Sequence, residues 1–169
     1  MHVRDATTDD AEAVRSVHSE SITELGPEGY AEPQVAAWAR GCESADYSSV
    51  IENEETEFVV AEDEGTVVAF GSATLESPEE YEATVEAEVT GVYVHPSVSR
   101  TGVGSAVLSE IERRMRDRDT HALGLSASLN AVSFYEKHGY ERVKEYTHEF
   151  SSSKSTGVTG TVIEMKKEL

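Results

Sequence analysis

The residues best placed to do chemistry lie between 87 and 116, AEVTGVYVHPSVSRTGVGSAVLSEIERRMR. Val89, Val92, Tyr93 and Val94 form an apolar, β-branched run that reads as a strand. His95-Pro96 ends it, because proline cannot donate to a ladder. A polar loop leads to Arg100-Thr101-Gly102-Val103-Gly104-Ser105. Val103, Val107, Ile111 and Met115 then recur four apart with Leu108 on the same face, so a helix follows. The first turn of a helix holds unpaired N–H groups at the positive end of its dipole, and glycine lets an anion approach the backbone. The chemistry on offer is the binding of a phosphate or diphosphate. Gly-x-Gly alone leaves a second reading open, a strand-to-helix turn that needs glycine for its dihedrals.

Two known anion loops do not fit. A P-loop needs Gly-Lys-Ser/Thr, and no lysine follows Gly104. A Rossmann loop needs a third glycine and an acidic residue ending the next strand. Position 107 is Val, and the next apolar run, Leu123–Ala127, offers Ser126 and Ser128. That run opens a second stretch, Leu123-Gly124-Leu125-Ser126-Ala127-Ser128-Leu129-Asn130-Ala131-Val132-Ser133-Phe134-Tyr135-Glu136-Lys137-His138-Gly139-Tyr140.

These two stretches resemble motifs A and B of the GNAT superfamily of acetyl-CoA-dependent N-acyltransferases. Motif A is Gln/Arg-x-x-Gly-x-Gly/Ala. Here it reads Ser99-Arg100-Thr101-Gly102-Val103-Gly104, departing at Ser99, a modest loss because the family's phosphate contacts are mostly backbone N–H groups. Motif B is a strand, an Asn, then Phe-Tyr-Glu-Lys-x-Gly-Tyr/Phe, matched by Asn130 and Phe134–Tyr140. The resemblance implies acetyl-CoA as cosubstrate, with Arg100, Thr101, Gly102, Val103, Gly104 and Ser105 around its diphosphate. It implies that Val92, Tyr93 and Val94, on a splayed strand, bind the pantetheine arm, and that Asn130 and Tyr135 also touch the cofactor. It places the Tyr135 hydroxyl near the thioester sulfur, where a phenol can protonate a leaving thiolate. The Val94 N–H is the expected donor to the oxyanion.

The base that takes the ammonium proton is assigned to Glu88. By period two it shares a face with Glu82 and Glu86, unless a bulge at Gly91 breaks the count; the competing reading is that all three are solvated surface. Asn130 serves as helix N-cap, as cofactor ligand, or both. Phe134 and Tyr140 are expected in the core, and Gly139 as the residue after a helix end. His95 is expected to be structural, and His18 a core or pocket-lining histidine. No spacing recommends a metal. Arg113, Arg114, Arg116 and Arg118 suit the negative end of the motif helix. Tyr30 and Trp38 are candidates to line an acceptor site, with core packing the stronger expectation for Trp38.

The elements that must position these residues follow from periodicity. His2–Ala6 is a strand; helices are expected over 11–25, 34–40 and 46–52, with Gly41 closing the second. Residues 57–62 and 66–74 form a hairpin about Asp63-Glu64-Gly65. After the motif helix come a strand at 123–127, a helix at 130–137 and two terminal antiparallel strands, 142–150 and 160–167. The Ser/Thr/Gly-rich loop at 151–160 is expected to be mobile. This order is mixed α/β in a single domain spanning 1–169. The resemblance adds a mostly antiparallel sheet of six to seven strands with one parallel splayed pair, flanked by about four helices.

Charge narrows the partners. The chain has 169 residues, 14 of them basic and 33 acidic, for a net charge of −19. The acid is spread along the chain, as in a folded domain with a carboxylate coat. Such a coat repels itself and is screened by salt, so a salt-adapted cytoplasm is expected. Nucleic acid and anionic membrane surfaces are poor partners for it, whereas a small-molecule or peptide amine suits it. Cys42 is alone, so no internal disulfide forms. The N-terminus lacks a signal-type apolar run. A homodimer is possible by resemblance. Besides an N-acetyltransferase, a non-catalytic acyl-CoA sensor and an acidic binding protein of unrelated fold stay open.

Overall fold

A computed structural model describes residues 1–150 and 157–169. Seven strands form one sheet: β1 (His2–Asp5), β2 (Thr56–Asp63), β3 (Thr66–Thr74), β4 (Ala87–Val94), β5 (Ala122–Ser128), β6 (Glu141–Glu149) and β7 (Thr159–Glu168). Among the described residues five α-helices accompany them: α1 (Ala11–Leu25), α2 (Glu32–Ser44), α3 (Tyr47–Glu52), α4 (Val103–Asp117) and α5 (Val132–Lys137). The mixed α/β class, the seven strands and the parallel pair match the expectation; the helix count is five rather than about four. The expected loop at 151–160 falls largely outside the described residues.

The strand order is β1-β2-β3-β4-β5-β7-β6. Every neighbouring pair is antiparallel except β4 and β5. Period-two alternation builds a core on each face. Val59, Ala61, Ala69 and Ala73 point to one side, where they meet Val103, Val107, Leu108, Ile111 and Met115 of α4. Phe58, Val60 and Phe70 point to the other and meet Val14 and Val17 of α1. Each aliphatic side chain buried this way contributes about 1.5–3 kcal/mol. A third cluster joins α1 and α2 to the end of β6 through Ile22, Val35, Ala37 and Phe150.

His18 packs in the second cluster, its ring 4.3 Å from that of Tyr93 and Nδ1 2.8 Å from the Tyr47 hydroxyl. Burial pushes its pKa down to about 4, so the imidazole is neutral. The core reading for His18 is half satisfied, since its buried Nε2 has no partner among the described residues.

Two local departures have physical causes. α2 runs through Gly41 to Ser44. An interior glycine costs only about 1 kcal/mol, and the Arg15 guanidinium caps the extended end by donating to the carbonyls of Cys42, Glu43 and Ala45. β4 bulges: Ser72 faces Gly91 while Ala73 faces Val89, so Thr90 is the extra residue. The period-two count thus breaks beside Gly91.

The arginine cluster is an ion-pair lattice. Arg114 reaches Asp5, Glu57 and Glu110, Arg118 reaches Glu57, and Arg113 reaches Glu110 and Asp117. Among the described residues no helix is long and apolar enough to cross a membrane.

Candidate active site

The parallel pair creates the site. β4 and β5 are in register only at Ala87–Leu123, Glu88–Gly124 and Val89–Leu125. Beyond Val89, β4 stays with β3 and β5 stays with β7, so the two strands part. The His95 N–H donates to the Val68 carbonyl at 2.8 Å. Alternation back along β4 then turns the N–H and C=O groups of Val92 and Val94 away from β3, across the split. Three cavities, of about 510, 140 and 320 Å³, lie along it. The first two share Leu25, Val94, Gly104, Asn130 and Phe134; the last two share Trp38, Val92, Tyr93, Ser128 and Ala131.

The outer cavity opens at the first turn of α4. Gly102 is its N-cap, at φ +91° and with no side chain to cap the turn. The Ala106 N–H already donates to the Gly102 carbonyl. The N–H groups of Val103, Gly104 and Ser105 are therefore the first-turn donors left for an anion. Arg100, Gly102, Gly104 and Ser105 line the cavity, as do Lys137 and His138, which sequence reasoning did not select. Ser105 Oγ lies 2.9 Å from His138 Nε2. Lys137 falls within the motif B match and ends α5. Arg100 is well exposed, paired at 3.3 Å with Glu28. Thr101 turns its hydroxyl to the Val98 carbonyl instead, and the Val103 side chain packs in the core; each could offer only backbone.

The middle cavity is walled by Ile22, Leu25, Trp38, Val92, Val94 and Phe134. Asn130 stands between it and the outer cavity. It is not the N-cap of α5, which is Ala131, and its buried Oδ1 has no partner among the described residues. A buried amide oxygen is costly to leave unpaired, so this one calls for a donor from a ligand. Phe134, expected in the core, is only partly buried and lines the groove. The same holds for Trp38, which stacks on Phe150 with ring centroids 5.8 Å apart. Tyr30 is the reverse case. Its hydroxyl donates to the Thr161 carbonyl at 2.7 Å and accepts from the Leu129 N–H at 3.0 Å, which makes it a buried pin. Tyr140 is core as expected, donating to Glu112. His95 caps the turn after β4 through the Ser97 N–H.

The inner cavity is lined by both Tyr135 and Glu88, along with Trp38, Tyr146, His148 and Phe150. Tyr135 is 5% exposed. Burial pushes its phenol above the ordinary range, while the Val92 N–H, directed at its oxygen, acts the other way. Burial likewise raises the Glu88 carboxyl, against a hydrogen bond donated by Tyr81 that lowers it. The remaining glutamates are elsewhere: Glu86 accepts from the His121 N–H at 2.7 Å, and Glu82 lies before β4 on an exposed segment. The geometry offers a proton donor and a proton acceptor at one end of a groove whose other end suits a phosphate.

A sequence model described as the acetyltransferase (GNAT) family matches residues 20–140. No curated protein gives a significant match. Among solved structures, a GCN5-related N-acetyltransferase from Rhodopseudomonas palustris superposes with a TM-score of 0.81 at 24% identity, covering 99% of this chain and 95% of that one. The PaiA N-acetyltransferase of Thermoplasma acidophilum, solved with coenzyme A, gives 0.75 at 20% identity over 99% and 98%. A ribosomal-protein-alanine N-acetyltransferase from Brucella melitensis gives 0.65 at 22% over the whole of both chains. At these identities the structures attest a shared fold.

Proposed function

The chain belongs to the acetyltransferase (GNAT) family, and from that premise we propose that it moves the acetyl group of acetyl-CoA directly to a primary amine of a small molecule or peptide. One observation carries the reading. The groove runs from the bare first turn of α4, past the unpaired Asn130 oxygen, to a cavity walled by both Tyr135 and Glu88. The neighbours solved with coenzyme A, including an aminoglycoside 6'-N-acetyltransferase, support the cosubstrate.

Residue roles follow. The first-turn N–H groups of Val103, Gly104 and Ser105, with Arg100 and Lys137 nearby, hold the diphosphate. Val92 and Val94 offer backbone to the pantetheine arm, and Asn130 accepts from one of its amides. When bound, acetyl-CoA supplies the activated acetyl group. Glu88 takes the ammonium proton, so that nitrogen can form its bond to the acetyl carbon. The Val94 N–H, turned across the split, donates to the acetyl oxygen as charge gathers there. Tyr135 gives its proton to sulfur as the C–S bond breaks. Burial holds the phenol in its protonated form, so the hydroxyl has a hydrogen to give.

The test is a screen of thiol release from acetyl-CoA against a panel of primary amines in molar KCl. Amine-dependent release is expected. Binding of coenzyme A without turnover on any amine would favour an acyl-CoA sensor, and no binding at all would end both readings. Molar salt is chosen because the charge of −19 supports a salt-adapted cytoplasmic setting. On that view the melting temperature climbs from low to molar KCl as the carboxylate coat is screened, and a flat series would remove the salt adaptation.

A further inference from the structure

A side chain bonded to two residues of the inner cavity's lining, Glu88 and Ser126, entered neither the motifs nor the mechanism. Tyr81 lies on the segment between β3 and β4, and three separate contacts fix it. Glu164 of β7, a fully buried carboxylate, accepts the N–H groups of Glu82 and Ala83, both at 3.0 Å. The Lys144 ammonium donates to the Glu80 carbonyl at 2.8 Å. Under the ring, Gly124 has no Cβ; one built there would sit 3.0 Å from Tyr81 Cε2 and 2.9 Å from Val85 Cγ2. A buried carboxylate spent on two loop amides, and a strand position kept bare, are costly provisions for a surface connection.

What they hold is the Tyr81 hydroxyl, which donates to Glu88 Oε2 and lies 3.0 Å from Ser126 Oγ. Ser126 Oγ in turn contacts the Tyr146 hydroxyl. Tyr81 has one hydrogen, and a carboxylate only accepts, so the chain has one consistent polarity. Tyr146 donates to Ser126, Ser126 to Tyr81, and Tyr81 to Glu88. Three hydroxyls from three elements thus end on one carboxylate oxygen.

We propose that Tyr81 is a positioning residue for Glu88, anchored through Ser126 and Tyr146, which occupies Oε2 and leaves Oε1 to meet the acceptor amine. The inference rests on the transferase reading for what Oε1 does, but not for how Glu88 is held. The other titratable groups that line this cavity with Glu88 are Glu80 on the same segment, Tyr135 on α5, and Tyr146 and His148 on β6. Lys144 on β6 is directed at the Glu80 backbone and the Tyr146 ring rather than at Glu88. Of these only Glu80 is negative, and it opposes ionisation of Glu88. Tyr81 is therefore the contact that favours the ionised form of Glu88, against its burial.

The sign of the test follows. Removing a donor to the ionised form raises the pKa, so Tyr81→Phe should carry the Glu88 titration up by about one pH unit. The readout is ¹³C NMR of the glutamate carboxyls in the full-length protein at molar KCl, with the Glu88 resonance identified by its loss in Glu88→Gln. The acid limb of kcat/KM should move up by the same amount, with the KM for acetyl-CoA unchanged. Ser126→Ala, cutting one link further out, should shift the titration the same way by less, and it decides the matter should Tyr81→Phe fold poorly. A Glu88 titration unmoved in the folded variant would overturn the proposal. A shifted titration in a protein that acetylates no amine would uphold the positioning and reject the transferase.

Discussion

Tyr135→Phe should lower turnover by about 10²-fold, the usual worth of a placed general acid, and leave the affinity for coenzyme A nearly unchanged. The two effects separate because the ring and the hydroxyl have different duties. The ring is packed, with Phe134 at 5.1 Å and Tyr140 at 5.7 Å between centroids, and phenylalanine keeps that packing. Melting curves would report any loss of stability separately from kcat. Burial holds the phenol pKa above its ordinary range, so Tyr135 stays protonated across the working pH range. Its removal should therefore depress the whole pH–rate profile rather than erase a basic limb. An unaltered kcat would take Tyr135 out of the mechanism. It would leave thiolate protonation to water and reduce the tyrosine to a core residue touching the cavity.

The parts of this site that could be read from sequence are those set by short-range physics. A strand, a glycine turn and an amphipathic helix leave their periods in the chain, so α4 and the strand before it are placed to within a residue or two. What escaped depends on which elements become neighbours. Alternation says that β6 and β7 each bury a face, but not that β7 inserts between β5 and β6. Tyr81 sits 7 residues from Glu88 and 45 from Ser126, and only the sheet order brings them together. Asn130 has the residue type of an N-cap, and the cap fell one residue later, on Ala131, because the turn after β5 leaves the asparagine side chain in the groove. Phe134 and Trp38 were expected inside because large aromatics usually are. A cofactor groove is itself an apolar interior with one side left open, and residue type does not distinguish the two.

The two glycines of the loop make a test of why it is there. Gly102 is needed for its backbone: it lies at φ +91° with open space where a Cβ would go. Gly104 is needed for its emptiness: it is helical, and a Cβ there would lie 3.2 Å from Val94 Cγ2 and 3.3 Å from Phe134 Cε1. Gly102→Ala should therefore cost stability, about 1–2 kcal/mol for the left-handed conformation, with coenzyme A affinity reduced less than tenfold. Gly104→Val should do the opposite. Its methyls enter the junction of the outer and middle cavities, which Gly104 lines on both sides, and push ligand away from the first-turn N–H groups. The expected loss of affinity is at least about 100-fold, or some 2.7 kcal/mol. Part of the overpacking, about 1–3 kcal/mol, falls on the fold. Gly104→Ala, whose Cβ asks Val94 and Phe134 to give by only a few tenths of an ångström, serves as the milder case and should weaken binding by an intermediate factor. Calorimetry with coenzyme A and melting curves on the three variants resolve the two demands. Full affinity in a folded Gly104→Val would place the diphosphate elsewhere, and the first turn of α4 would then be a strand-to-helix turn that needs glycine for its geometry alone.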